Sequence, residues 1–116
     1  MDLENFREHC LSKKGVTEEL PFGPDTLVYK VMGKMFALTG FDFERISLKN
    51  LPEKNQELRA ENDAVLPAYH MNKQHWNMVQ TNGRVKDALL RTWIDESYEI
   101  VVKSLPKKTK EELINL

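Results

Sequence analysis

At 116 residues, 41% hydrophobic and 30% charged, the chain has the composition of one ordinary globular domain over residues 1–116, too apolar for disorder and too mixed for a coiled coil. Its net charge is −1, with nine Lys/Arg against twelve Asp/Glu in residues 1–63 and eight against six in residues 64–116. That balance excludes a general basic surplus, so any grip on phosphate must come from a local patch.

The chain has no run near the ~18 apolar residues of a membrane span, and since it opens MDLENFREHC, with acids in place of a basic-then-apolar stretch, no signal peptide is expected. Cys10 is the single cysteine and has no internal partner, so a reducing, cytoplasmic setting without membrane association is expected. Leu3, Phe6, Cys10 and Leu11 share one face of a first helix, with Asp2 placed to cap it and Gly15 suited to the left-handed turn that ends it. Between Glu18 and Asp25, two prolines and a glycine exclude regular structure, and Phe22 is expected to plug the underside of the core.

Three strands are predicted at 27–32, 34–39 and 45–49, broken by Gly33 and Gly40. The third alternates, with Ile46 and Leu48 on one face and polar residues on the other, which implies a sheet with one wet face. Pro52 opens a polar surface helix that runs to Asn62, with Leu51 and Leu58 as its apolar contacts. Two more strands, 65–70 and 75–80, are expected to flank a hairpin tip at residues 71–74. Asn82-Gly83 then turns into the longest helix, about 84–104, with Val85, Leu89, Trp93, Ile100 and Val101 as its apolar face. Pro106 stops it before a short terminal helix. The expected fold class is α+β: an antiparallel sheet of about five strands, backed on one face by the N-terminal helix and the long C-terminal helix.

Several stretches resemble the MmcQ/YjbR family. They are Glu19-Leu20-Pro21-Phe22-Gly23, Val28-Tyr29-Lys30-Val31, Gly33-Lys34-Met35-Phe36-Ala37-Leu38 and Leu48-Lys49. Pro67 through Trp76, Ser97-Tyr98, Val101-Val102 and Leu105-Pro106-Lys107-Lys108 continue the series in the family's order. The region after the Leu-Lys pair, usually a cysteine or aspartate, reads Asn50-Leu51 here. The resemblance implies a frataxin-like (CyaY-like) fold and a DNA-binding protein with a double-wing arrangement, the partner being double-stranded DNA.

The segment 69–76 carries the candidate site. With residues 71–74 at the tip, His70 and His75 face each other across the strands, and Asn72, Lys73 and Gln74 project with Trp76 behind. Lysine suits phosphate, amides suit base edges and an indole suits stacking. Lys30, Lys34, Arg45 and Lys49 lie on successive strands and form a basic strip if they share the wet face. The DNA-contacting set is therefore Lys34, Lys49, His70, Asn72, Lys73, Gln74, His75 and Trp76. The competing reading puts Tyr69 and Trp76 in the core with a solvated turn beyond them.

A rival function, favoured by the near-zero charge, is a non-enzymatic protein-interaction or small-ligand module, marked by a concave apolar sheet face with Trp76 exposed. Two histidines without a third ligand do not make a metal site, and Arg7 interrupts the acids of the first helix. Cys10 lies on an apolar helix face, Ser97-Tyr98 has no positioned base, and no glycine-rich phosphate loop precedes a helix. Neither an enzyme nor a cofactor is expected.

Overall fold

Asp2 is extended and its carboxylate accepts a hydrogen bond from the Asn5 amide at 2.8 Å, so the first helix, α1 (Leu3–Leu11), starts where the cap predicts. The computed structural model describes residues 1–116. After α1 come β1 (Val16–Glu19), β2 (Thr26–Val31), β3 (Lys34–Gly40) and β4 (Arg45–Lys49). They are followed by α2 (Pro52–Glu61), β5 (Val65–Pro67), β6 (Trp76–Gln80), α3 (Asp87–Ser104) and α4 (Lys107–Ile114). All strands join one antiparallel sheet in the order β1-β2-β3-β4-β6-β5.

The α+β class and the backing by α1 and α3 are as expected, but the sheet has six strands. The additional one, β1, is a short edge strand whose β-branched Val16 and Thr17 pair with Val31 and Lys30. The prolines break the chain only beyond Glu19.

The helix-side core joins Phe6 and Cys10 of α1 to Leu27, Tyr29 and Val31 of β2, Phe36 of β3, and Ile46 and Leu48 of β4. Phe6 meets Tyr29 edge-to-face with ring centroids 5.4 Å apart, and Phe36 meets Tyr98 in the same way at 5.4 Å. On α3 the buried stripe is Leu90, Trp93, Ile94, Ser97, Tyr98 and Val101, a three-four spacing. Leu89, expected on that face, lies off it and is exposed.

One irregularity sets the other side of the sheet. Tyr29 pairs with Ala37 but Lys30 pairs with Met35, so Phe36 is an extra residue, a β-bulge. Phe36 and Ala37 both enter the helix-side core. As a result Met35 and Leu38, three residues apart, share the opposite face, where they pack against Ala68, Trp76 and Met78. In a regular strand residues three apart point to opposite faces. The β3–β4 register ends at Ala37 and Leu48. Beyond it the fully buried Ser97 hydroxyl donates to the Phe36 carbonyl at 2.5 Å and accepts from the Lys49 amide at 2.8 Å, bridging the gap.

Candidate functional site

The face away from the helices is polar along β4, where Arg45, Ser47 and Lys49 lie as expected, but Met35, Leu38, Trp76 and Met78 give it an apolar patch. Between the loop after β1 and the loop joining β5 to β6 lies a groove of about 500 Å³. Thr26 of β2 and Met35 and Leu38 of β3 form its floor, with Phe22 on one wall and His70, Met71 and Asn72 on the other. Phe22 is 63% exposed. It is no core plug, because Pro21 and Gly23 hold it in a loop clear of the strands.

The second wall is pinned from beneath. The ladder stops early, since Pro67 pairs with Asn77 and the Ala68 amide reaches the Trp76 carbonyl at 3.4 Å. Residues 68–75 then leave the sheet as a loop. Within it the Asn72 carbonyl accepts from the His75 and Trp76 amides at 3.2 and 2.9 Å, and the Asn72 side chain accepts from the Gln74 amide at 2.9 Å. Asn55, buried in α2, donates to the Gln74 carbonyl at 3.0 Å and the Asn50 carbonyl at 3.2 Å. Arg59 donates to the Lys73 carbonyl at 3.2 Å and to the Asn77 side chain at 2.6 Å. The Asn77 amide closes the set on the Asn55 side chain at 3.2 Å. Buried amides left unpaired are costly, so this network fixes the loop's shape.

The candidate residues divide. Lys49, His70, Asn72, Lys73, Gln74, His75 and Trp76 gather at one end of the open face and its loop, and His70 and Asn72 line the groove. Lys34 pairs with Val31, a helix-side core position, so it does not join Lys30, Arg45 and Lys49. His70 and His75 do not face each other; continuing the register would set Tyr69 opposite His75. Trp76 is 7% exposed under Ala68 and Met78, whereas Tyr69 is 61% exposed. Lys73 places its ammonium 5.4 Å from the Tyr69 ring centroid.

The electrostatics follow from these placements. Lys30 is tied to Glu19 at 3.1 Å. The Thr17 hydroxyl and then Lys30 hold the Glu19 carboxyl below the usual range. Lys49, Arg45 and Lys73 are in no ion pair. Elsewhere, Cys10 is fully buried and burial pushes its thiol well up, while His9 turns away to Asp95 at 2.7 Å. No three His, Cys, Asp or Glu side chains converge as metal ligands, and no helix is long and apolar enough to cross a membrane.

Phe22, Met35, Leu38 and Met71, with the Asn55–Arg59–Asn77 support, escape sequence reasoning. The available signal is β2, where consecutive Leu27, Val28 and Tyr29 demand apolar surroundings on both faces.

The family model YjbR matches residues 11–100. The chain belongs to the YjbR family. Similar curated proteins include YbdF of Escherichia coli O157:H7, 37% identical over 97 residues (80% of this chain, 78% of that protein). YjbR of Escherichia coli K12 is 29% identical over the full length of both chains. Among solved structures, Deinococcus radiodurans protein DR2400 superposes with a TM-score of 0.90 at 35% identity, over 97% of this chain and 87% of that one. A Pseudomonas syringae protein gives a TM-score of 0.74 at 28% identity, over 86% and 98%. This YjbR-family chain thus shares its fold along nearly its whole length with DR2400.

Proposed function

We propose that the chain is a non-catalytic binding module whose working surface is the open sheet face. The observation that carries this is the groove of about 500 Å³, floored by Met35 and Leu38 and walled by Phe22 and Met71. Its size and lining match a ligand site: mostly apolar, with a few polar groups (His70, Asn72, Thr26) to orient what enters. The methionines add adaptable, polarizable walls. Trp76 serves as a buried support for the floor, not as the exposed contact expected of it.

The test is fluorescence of anilinonaphthalene sulfonate with the wild type and with Phe22→Ser. Enhancement is expected in the wild type and loss in the variant, with the melting temperature moved by less than about 2 °C because Phe22 is exposed. Equal enhancement in both proteins would sink the groove as the working surface.

Duplex DNA is the second reading, favoured by the unpaired Lys49 and Lys73 near the amides of Asn72 and Gln74, with the unpaired Arg45 at the far end of β4. Three such cations give a slope of log affinity on log salt of about −3. Anisotropy of a labelled mixed-sequence duplex at about 50 and 200 mM salt tests it. K49E/K73E should abolish binding, and no binding by the wild type at the lower salt removes DNA from the account.

A further inference from the structure

Of the chain's ten aromatic residues, three are exposed: Phe22, Tyr69 and Phe41, the last at 51%. One lines the groove and the other two lie next in the chain to residues at its edge. Phe22 lines it, Tyr69 precedes the lining residue His70, and Phe41 follows Gly40, whose Cα partner is the floor residue Thr26. Exposed Leu20 lies two residues before Phe22. A drug-sized molecule would fill the groove and leave Phe41, Tyr69 and Leu20 uncovered. Aromatic residues spread over a patch of this kind are instead the mark of a protein-binding surface.

The charges around the groove are polarised along it. Asp25, Asp42 and Glu44 stand with Arg45 at the end marked by Thr26 and Gly40. At the other end Lys49 pairs in register with Trp76, and Lys73 caps the loop. Both are unpaired, and the acid of that face, Glu19, is already held by Lys30. An occupant whose acidic groups lie at the lysine end meets complementary charge there, and an inverted one meets the carboxylates.

Resting on the groove reading above, we propose that the groove receives an acidic, amphipathic segment of a partner protein. Its apolar side chains enter between Phe22 and Met71, and its carboxylates lie toward Lys49 and Lys73. The methionines of floor and wall suit a helical or extended segment whose side chains vary. Charge sets the direction and apolar contact supplies the affinity.

The experiment uses two fluorescein-labelled synthetic peptides of equal length that alternate Leu and Phe with Glu in one and with Lys in the other. Each is titrated by anisotropy against the wild-type chain, F22S/Y69S and K49E/K73E. The acidic peptide is expected to bind the wild type about tenfold tighter than the basic one, a 1.4 kcal/mol preference. F22S/Y69S should weaken it by about tenfold or more, and K49E/K73E should invert the preference. Equal binding of both peptides, lost together in F22S/Y69S, would overturn the acidic assignment while leaving the groove reading intact. Binding indifferent to F22S/Y69S would overturn both. Oleate that displaces the acidic peptide and binds more tightly, again through Phe22, would assign the groove to a fatty-acid-like ligand instead.

Discussion

Asn55 sits in the middle of α2, a position where asparagine is a poor helix former because its amide competes for backbone partners. Here that amide is committed: it donates to the Asn50 and Gln74 carbonyls and accepts from Asn77, while itself almost fully buried. Asn55→Ala removes all of these side-chain bonds and leaves the Asn50 and Gln74 carbonyls without their donor, while the Asn77 amide keeps only the Asn55 backbone carbonyl. Each buried group left without a partner costs about 1–3 kcal/mol, and neighbouring losses do not add fully. We therefore expect a loss of about 2–4 kcal/mol in urea unfolding, together with reduced dye binding, because the 68–75 loop that walls the groove loses its anchor. Wild-type dye binding in Asn55→Ala would show that the wall holds its shape without this support. Exposed Phe22 should behave in the opposite way, with binding lost and stability kept. Reading α2 as a polar surface helix correctly places most of its residues outside, but a buried asparagine looks the same in sequence as a solvated one.

The bulge in β3 is the element on which the groove depends. As a regular strand, residues 34–39 would put Phe36 with Leu38 and Met35 with Ala37. The extra residue at Phe36 brings Met35 and Leu38 together on the open face instead. Ser97 of α3 stabilises the opening by satisfying Phe36 and Lys49 at once. Ser97→Ala leaves a buried carbonyl and amide unpaired, and a loss of about 2–3 kcal/mol is expected by thermal or urea unfolding. Amide hydrogen exchange should rise at Lys49 before the β2–β3 ladder opens. Unchanged protection at Lys49 would mean that another group pairs it. The extents of β3, β4 and β6 were legible from β-formers and breakers. β1 was obscured by its nearness to the prolines, and the start of α3 came later than Asn82-Gly83 suggested. The bulge left no mark at all, since a strand's register depends on its partner and not on its own residues. A site built on that register was correspondingly legible only at its loop, where His70 and Asn72 stand out as polar residues between strands.

Across the whole molecule, α1 holds the edge of the sheet to α3 through polar ties around its buried Phe6 and Cys10. Arg7 donates to both Glu18 carboxylate oxygens at 2.8 and 2.9 Å, and the Tyr29 hydroxyl donates to the same carboxylate at 2.6 Å. On the other flank His9 and Lys13 both meet Asp95. The Arg7 hydrogen bonds outweigh desolvation and, with Tyr29, hold the Glu18 carboxyl below the usual range. At Asp95 desolvation pushes upward but Lys13 and His9 prevail, so that carboxyl is also depressed. A carboxyl with a lower folded than unfolded pKa contributes stability above its unfolded value, near 4.3 for glutamate, and loses that contribution as the pH falls through the folded value. Glu18→Gln should thus cost about 1–2 kcal/mol at neutral pH. The gap between its urea midpoint and that of the wild type should close as the pH falls from about 5 to about 3. Asp95→Asn should show the same trend more weakly and lose it in high salt, because Asp95 is half exposed and its partners compete with solvent and ions. A Glu18→Gln gap that stays constant down to about pH 3 would mean that the charge of Glu18 adds nothing to the tie between α1 and β1. The same edge carries Glu19 and Lys30 at the border of the open face, so acid loosening of α1 and β1 should also weaken binding in the groove before the core unfolds.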